Sequence, residues 1–427
     1  MHNKYKVLIA LDWADTKHDG CLVTKGSEEL EHFKLKQSAK SIANWLKSLK
    51  KRFGAVKYAV ILEQKKGALI SALLKHDCFD IYPVNPATLA TYRKAFAPSG
   101  AKDDPTDAAL MLELLRIHPD RVSKLELEDE QTRTLRTLVE QRRVLVDDKK
   151  RLANRLEALL KGYYPLVLEL FPKMTRAVVS NFILKYPNLE SVQQAEKEEL
   201  VKFFRANRSA SKLEKKIERI QEAVSLTEDK SSIETSCLMA ETICKQMLLL
   251  IEQISAYEKR IEALFASHQD SEFFSSLPAC GEVMAPRLLV AFGADRNRFN
   301  SASELQKYLG IAPVLERSGN SSWVHWRYNC NKFLRQSIHE WAGITIRHSL
   351  WARAYYAMQR KKGKSHPIAV RALAFKWIRI IFRLWQDRKV YSEATYLAAL
   401  QRNGSPIMKF LAENPNLEKI KFSKTYA

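Results

Sequence analysis

Glycine and proline are scarce, 13 and 14 in 427 residues. Each is about 3%, where roughly 7% and 5% are usual, so turns should be sparse and helices should dominate. Cysteine is scarcer still: Cys21, Cys78, Cys237, Cys244, Cys280 and Cys330 are scattered, with no CxxC pair and no histidine at zinc-finger spacing. That excludes a disulfide framework and a cysteine-rich zinc module, and reads as reduced thiols. The ten histidines include no HExxH and no paired ligand spacing. Long apolar runs are missing too: none approaches the roughly 18 residues of a membrane span, and residues 1–10 lack the features of a secretory signal. A soluble, cytoplasmic protein is expected. Acids are the last shortage, 48 against 70 Lys and Arg, which leaves a net charge of +22. An excess of that size favours a polyanionic partner, nucleic acid first, over a small metabolite.

What is present is an apolar content of 46%, which argues against disorder, and a length that at about 150 residues per domain suggests two or three domains. Residues 5–12 (YKVLIALD) read as a buried strand ending on a carboxylate, followed by two short strands at CLV and HFKLK and a helix over 39–51. A second buried strand, residues 56–63 (VKYAVILE), also stops on an acid, and FDIYPV over 79–84 is a further strand after a helix over 69–75. Alternating strands and helices make this part α/β. Asp104 before Pro105 is a helix-start pattern for residues 106–117. We expect an α/β domain over 1–120, a helical scaffold over 121–270 and a mainly helical domain over 271–427.

Within the scaffold, Leu138, Leu145, Leu152 and Leu159 recur every seven residues, with Leu135 and Leu156 alongside and Arg142 and Lys149 interrupting. Ile243, Met247, Leu250, Ile254, Tyr257, Ile261 and Leu264 alternate steps of four and three. Two helices with coiled-coil seams are expected. The segment from 163 to about 229 shows no assignable pattern. Farther on, LPACG at 277–281 opens an apolar helix and resembles half of a helix-hairpin-helix phosphate-binding turn. Residues 317–389 hold 16 Lys and Arg against Glu340 and Asp387 alone. Nine Trp and Tyr are interleaved with them, a mixture suited to neutralising phosphates and stacking on bases, although the rings are equally ordinary as core.

Four acids suit metal-dependent phosphoryl transfer: Asp12 and Glu63 at strand ends, and Asp104 and Asp107 three apart at a helix start. Mg²⁺ prefers hard oxygen ligands, and carboxylates brought together without a cation would repel one another. Taken singly, each is an ordinary helix cap or strand-end acid; the joint order sets them apart.

That order resembles the ribonuclease H-like, RuvC-like fold, and more narrowly the DEDD transposases of bacterial insertion sequences of the one-ten family. The matching stretches are IALDWADTKHD around Asp12, VILE ending at Glu63, residues 84–115 with Asn85, Pro86, Lys102, Asp104, Asp107 and Ala108, and then LPACG and residues 298–322 leading into FLRQSI at 333. The resemblance implies a recombinase whose Mg²⁺ (Mn²⁺ as a substitute) is held by Asp12, Glu63, Asp104 and Asp107. It also implies that Ser318, in ERSGNSS, is a nucleophile forming a 5′-phosphoserine link. Ser321 and Ser322 are nearby rivals. Arg317, Arg327, Lys332 and Arg335 flank the serine and suit the scissile phosphate. Implied partners are donor and target DNA, a noncoding bridge RNA that chooses the site by base pairing, and further copies of the chain as a dimer or tetramer, one protomer's serine meeting another's acids. The implied setting is the bacterial nucleoid. Two other readings fit the residues: a RuvC-like endonuclease that hydrolyses with water, and an inactive nucleic-acid-binding scaffold.

Overall fold

The computed structural model describes residues 4–64, 67–96 and 104–419. The chain forms two compact units, residues 1–127 and 128–427.

The first unit runs β1 (Val7–Asp12), β2 (Lys17–Thr24), β3 (Glu31–Lys36), α1 (Ala39–Phe53), β4 (Tyr58–Leu62), α2 (Ala68–Leu73), β5 (Phe79–Pro83), α3 (Pro86–Phe96) and α4 (Asp104–Ile117). Its strands make one mixed sheet in the order β3-β2-β1-β4-β5, antiparallel from β1 to β3 and parallel from β1 to β5. β1 and β4 are apolar almost without a break because both of their faces are covered. On one face Ala10, Ala59 and Tyr82 pack with Ala108, Met111 and Leu115 of α4; on the other Ile9 and Val60 pack with Leu46 and Leu49 of α1 and Ile70 of α2. The expected strands and helices are present within about two residues of their expected ends, except that the strand expected at CLV begins four residues earlier, at Lys17. Helix α3 was not expected, since its apolar positions are too sparse for a helical period; Asn85, whose Oδ1 accepts from Ala87 N, and Pro86 start it.

Away from the strand ends that carry acids, Asp80 of β5 is buried. It accepts from Lys4 Nζ (2.8 Å) and Tyr5 Oη (2.6 Å), and pairs with Lys124 (2.9 Å). Burial opposes its ionisation, but the two ammonium groups and the phenol outweigh burial and hold the carboxyl well below the usual range.

Among the described residues the second unit is helical apart from one hairpin. Long α5 (Glu130–Tyr163) is followed by five short helices, α6 (Leu166–Leu170), α7 (Ala177–Lys185), α8 (Leu189–Gln193), α9 (Lys197–Ala206) and α10 (Leu213–Glu222), and then by long α11 (Lys230–Ala266). After these come α12 (Ser271–Ser275), α13 (Met284–Phe292), α14 (Ala302–Tyr308), β6 (Val314–Ser318), β7 (Ser321–His325), α15 (Lys332–Thr345), α16 (Leu350–Lys361) and α17 (His366–Gln386). Among the described residues no helix is long and apolar enough to cross a membrane.

Helices α5 and α11 pack antiparallel, as shown by Gln131 Nε2 bonding to Leu264 O, Tyr257 Oη to Gln141, and Arg142 to Glu258. The buried stripe of α5 is not the leucine heptad. Leu138, Leu145, Leu152 and Leu159 are half-buried, whereas Leu135, Val139, Ala153, Leu156 and Leu160 are fully buried. Stepping between these two groups in threes and fours passes through Arg142, Val146 and Lys149, so the two cations lie within the packed stripe. Arg142 meets Glu258 across the pair, and burial pushes the Lys149 ammonium below its usual range. This polar belt separates two cores. Leu135, Val139 and Ile261 join the C-terminal helices; Ala153, Leu156 and Met247 join the five short helices.

In the C-terminal core Trp341, Trp351, Trp377 and Trp385 are completely buried. The Trp351 and Trp341 rings lie 4.4 and 4.9 Å from that of Trp377. Three of the indole N–H groups are satisfied inside, Trp341 by Pro278 O, Trp351 by Tyr391 Oη and Trp377 by Thr345 Oγ1. Of the two readings of these aromatics, core is correct for four tryptophans, and they are closed to bases. The LPACG turn precedes α13, every residue of which is buried. Within that turn Ala279 has φ +60°, a left-handed conformation that disfavours a Cβ. Ala279→Gly is therefore expected to raise stability by about 0.5–1 kcal/mol after allowing for the extra freedom of glycine in the unfolded chain. A denaturation midpoint unchanged or lowered by the substitution would contradict this.

Candidate active site

Asp12 is the last residue of β1, and Glu63 directly follows β4, its parallel neighbour, with Leu11 registered on Leu62. Two carboxylates thus leave adjoining strand ends, both half-exposed. Across the antiparallel pair Asp12 is registered on Asp19, a further acid that the sequence offered no reason to single out; it pairs with Lys34 at 3.5 Å. A small cleft lined by Asp19, Gly20 and Pro105 brings the start of α4 to this end of the sheet. One turn in, Asp107 is buried and accepts two hydrogen bonds from Arg93 of α3, Nε to Oδ1 and Nη2 to Oδ2, each 2.6 Å. The side chain of Asp104 lies outside the described residues, as does Lys102.

The loop after Asp12 is pinned by His18, a residue the sequence reading passed over. Buried in β2, it accepts from Ala14 N through Nδ1 (3.2 Å) and meets Gln37 Oε1 through Nε2 (2.7 Å). With Nδ1 accepting, Nε2 carries the proton and donates to Gln37. Among the described residues no three His, Cys, Asp or Glu side chains are gathered as a ready cation cage. The donors themselves are hard carboxylate oxygens, the chemistry Mg²⁺ takes, and Asp107 is bound to Arg93 as it stands.

In the second unit Ser318 does not lie in an irregular loop. It ends β6 of an exposed two-stranded hairpin, paired with Ser321, while Arg317 pairs with Ser322. Gly319 makes the turn with φ +55°. Alternation along the strands places Ser318, Ser321, Glu316, Trp323 and His325 on one face. Trp323 Nε1 donates to Glu316 (2.8 Å) and His325 Nε2 lies 2.8 Å from its other oxygen, so the face carries an indole and an imidazole beside a carboxylate. Leu315, Val324 and Tyr328 are exposed as well.

The four flanking cations behave differently from one another. Arg317 and Lys332 are exposed. Arg327 donates to Ala312 O, and Arg335 donates to Arg327 O, so both brace the hairpin's base. The guanidinium groups of Arg335 and Arg371 lie 5.4 and 4.1 Å from the ring of Trp326. Gly310 allows the close packing here: it has φ +69°, and a Cβ would stand 2.4 Å from Cys330 Sγ.

Comparison with known proteins decides the family. Residues 9–165 match a transposase family of DEDD type named for IS110, and residues 271–357 match the family described as transposase IS116/IS110/IS902. The chain belongs to the IS110 family of DEDD transposases. It is similar to "Mini-circle putative transposase for IS117" of Streptomyces coelicolor, 25% identical over 407 residues covering 92% of this chain and 97% of the relative. An IS110 protein of 43.6 kDa from the same organism, described as uncharacterized, is 28% identical over 90% of this chain and 95% of its own length. An IS900 protein of 42 kDa from Mycobacterium paratuberculosis, likewise uncharacterized, is 25% identical over 81% and 86%. As an IS110-family transposase the chain acts on DNA. Its first unit is mixed α/β, as a DEDD domain of RuvC-like fold implies, and the remainder is mainly helical.

Proposed function

We propose that this transposase is a serine recombinase: Ser318 Oγ attacks a DNA phosphorus, a phosphoserine bond forms to the 5′ side, and the 3′ oxygen leaves and takes up a proton. The serine's proton passes to a base. Attack by the 3′ hydroxyl of another strand reverses the step and rejoins DNA without an outside energy source. The observation that carries this reading is the placement of Ser318 at the exposed tip of a hairpin, beside Arg317, in a transposase with carboxylates at adjoining strand ends of its RuvC-like domain. Asp12, Glu63, Asp104 and Asp107 would hold Mg²⁺ or Mn²⁺. Such an ion would supply Lewis-acid stabilisation of charge at the phosphoryl oxygens. Arg93 neutralises Asp107 and fixes its orientation. Arg317 and Lys332 reach for the phosphate, while Arg327 and Arg335 hold the hairpin that presents the serine. A bridge RNA selects the donor and target, and the protein works as a dimer or tetramer, with α5 and α11 as its coiled-coil scaffold.

The test is a trapped adduct. Denaturing gels of protein mixed with end-labelled DNA should show a covalent species with the wild type, Ser321→Ala and Ser322→Ala, and none with Ser318→Ala. Strand exchange should fall by at least about 10³-fold in Ser318→Ala, the scale at which loss of a nucleophile is felt. Full exchange by Ser318→Ala would overturn the proposal; nicking without an adduct in every variant would favour hydrolysis by water.

A further inference from the structure

We propose that a cleft in the short-helix region of the second unit is a binding site for the phosphodiester backbone of nucleic acid. It lies between the α6–α7 connection and the α9–α10 connection, outside both stretches that match the family, and has a volume of about 660 Å³. Lys173, Arg176, Arg208, Lys212, Lys215 and Arg219 line it with their side chains exposed. Lys216 makes a seventh cation, and Glu169 is the cleft's one acid. Residues 166–222 as a whole carry 11 Lys and Arg and eight Glu, so their linear charge is close to balanced. Folding sorts seven of the cations and one of the acids onto this one concavity.

Such sorting has a cost that points to a ligand. Like charges around one cleft repel, and none of the six exposed cations is in an ion pair among the described residues. A polyanion removes the repulsion and gains the release of its own counterions. Two of the six sit on strained backbone: Arg208 and Lys212 have φ +49° and +53°, although neither is glycine. Left-handed residues of this kind persist where the surroundings impose them, and they gather at functional loops. Arg208 closes the end of α9, where Ser209 N donates to Phe204 O (2.8 Å), and Lys212 stands directly before α10. Between them the Lys216 ammonium donates to Ser209 O (2.7 Å) and Oγ (3.0 Å) and lies 5.6 and 4.9 Å from the rings of Phe171 and Phe204. It ties the α9–α10 loop down onto the cleft's apolar floor. Six exposed cations exceed what one phosphate engages, so successive phosphates of a strand fit better than a free nucleotide.

This inference rests on the chain's binding nucleic acid and is independent of Ser318 and of any metal. The test uses full-length protein and two fluorescein-labelled probes, a DNA duplex and an RNA duplex of the same sequence, with affinity measured against salt. The triple variant Lys173→Gln/Arg176→Gln/Lys215→Gln removes three exposed charges and should melt as the wild type does. Its slope of log affinity against log salt should become shallower by about 3, and its affinity near 0.1 M salt should fall about 10- to 100-fold. Loss confined to the RNA probe or to the DNA probe, or shared by both, supports the site and identifies what it holds. The control Lys197→Gln/Lys202→Gln/Arg205→Gln changes the net charge equally on α9, away from the cleft, and should alter the slope by less than about 1. Equal losses in the two triples, or no loss in the cleft triple on either probe, would overturn the site. A flat slope in the wild type would overturn the nucleic-acid reading of the chain itself, whereas an adduct surviving in Ser318→Ala would sink only the serine mechanism.

Discussion

Asp12→Asn is expected to lower strand cleavage by about 10³-fold or more, since loss of a carboxylate that holds a catalytic cation removes several kcal/mol of transition-state stabilisation. The substitution keeps the shape, removes the charge and replaces one accepting oxygen by a donating NH2 group. Asp12 is half-exposed at the end of a strand whose preceding five residues are buried, so the sheet should form as before. Glu63→Gln should behave in the same way from the neighbouring strand end. Cleavage of a plasmid carrying the element's ends is the measurement, with thermal melting and affinity for DNA as companions that should stay within about 2-fold of the wild type. Undiminished cleavage in both variants would mean that these acids bind no catalytic ion, whereas no cleavage by the wild type itself would leave the nucleic-acid-binding scaffold.

Asp80→Asn is expected to act on stability. Its carboxylate receives a phenol and two ammonium groups in a buried setting, and its loss should cost about 2–3 kcal/mol. The figure is below that for a fully buried pair because Lys4 and Lys124 are 55% and 39% exposed and can turn to solvent. The pH dependence has a definite sign. The folded carboxyl is held below its ordinary value of about 4, so its stabilisation is fully present above that value and is lost as pH falls through the lower folded one. Denaturant titrations should show a constant gap between wild type and variant from pH 7 to about 5, and a narrowing gap below about 4. A gap that widens with acid would contradict the assignment.

Much of the first unit was legible because burial on both faces of a strand writes an unbroken apolar run, as in VLIALD and YAVIL, and the acids that end those runs fall at neighbouring strand ends. The pairing of Arg93 with Asp107 was not legible, since it joins two helices across residues with no periodic signal. The leucine heptad misled for a related reason. Spacing reports which residues share a helical stripe, but a helix with two apolar stripes does not say which one its partner covers, and here the stripe through Leu135, Arg142, Lys149 and Leu156 is the packed one.

By itself the sequence determined the α/β beginning, the helical remainder, the surplus of cations and the order of the chemistry-bearing residues, because local periodicity, net charge and chain order are properties of a string. Only the tertiary structure decided which tryptophans are core, that Ser318 stands on a hairpin tip, that Arg327 and Arg335 brace it, and that a nearly balanced stretch turns its cations toward one cleft. Each of those depends on which distant side chains exclude water from a given surface, and that is settled by packing in three dimensions.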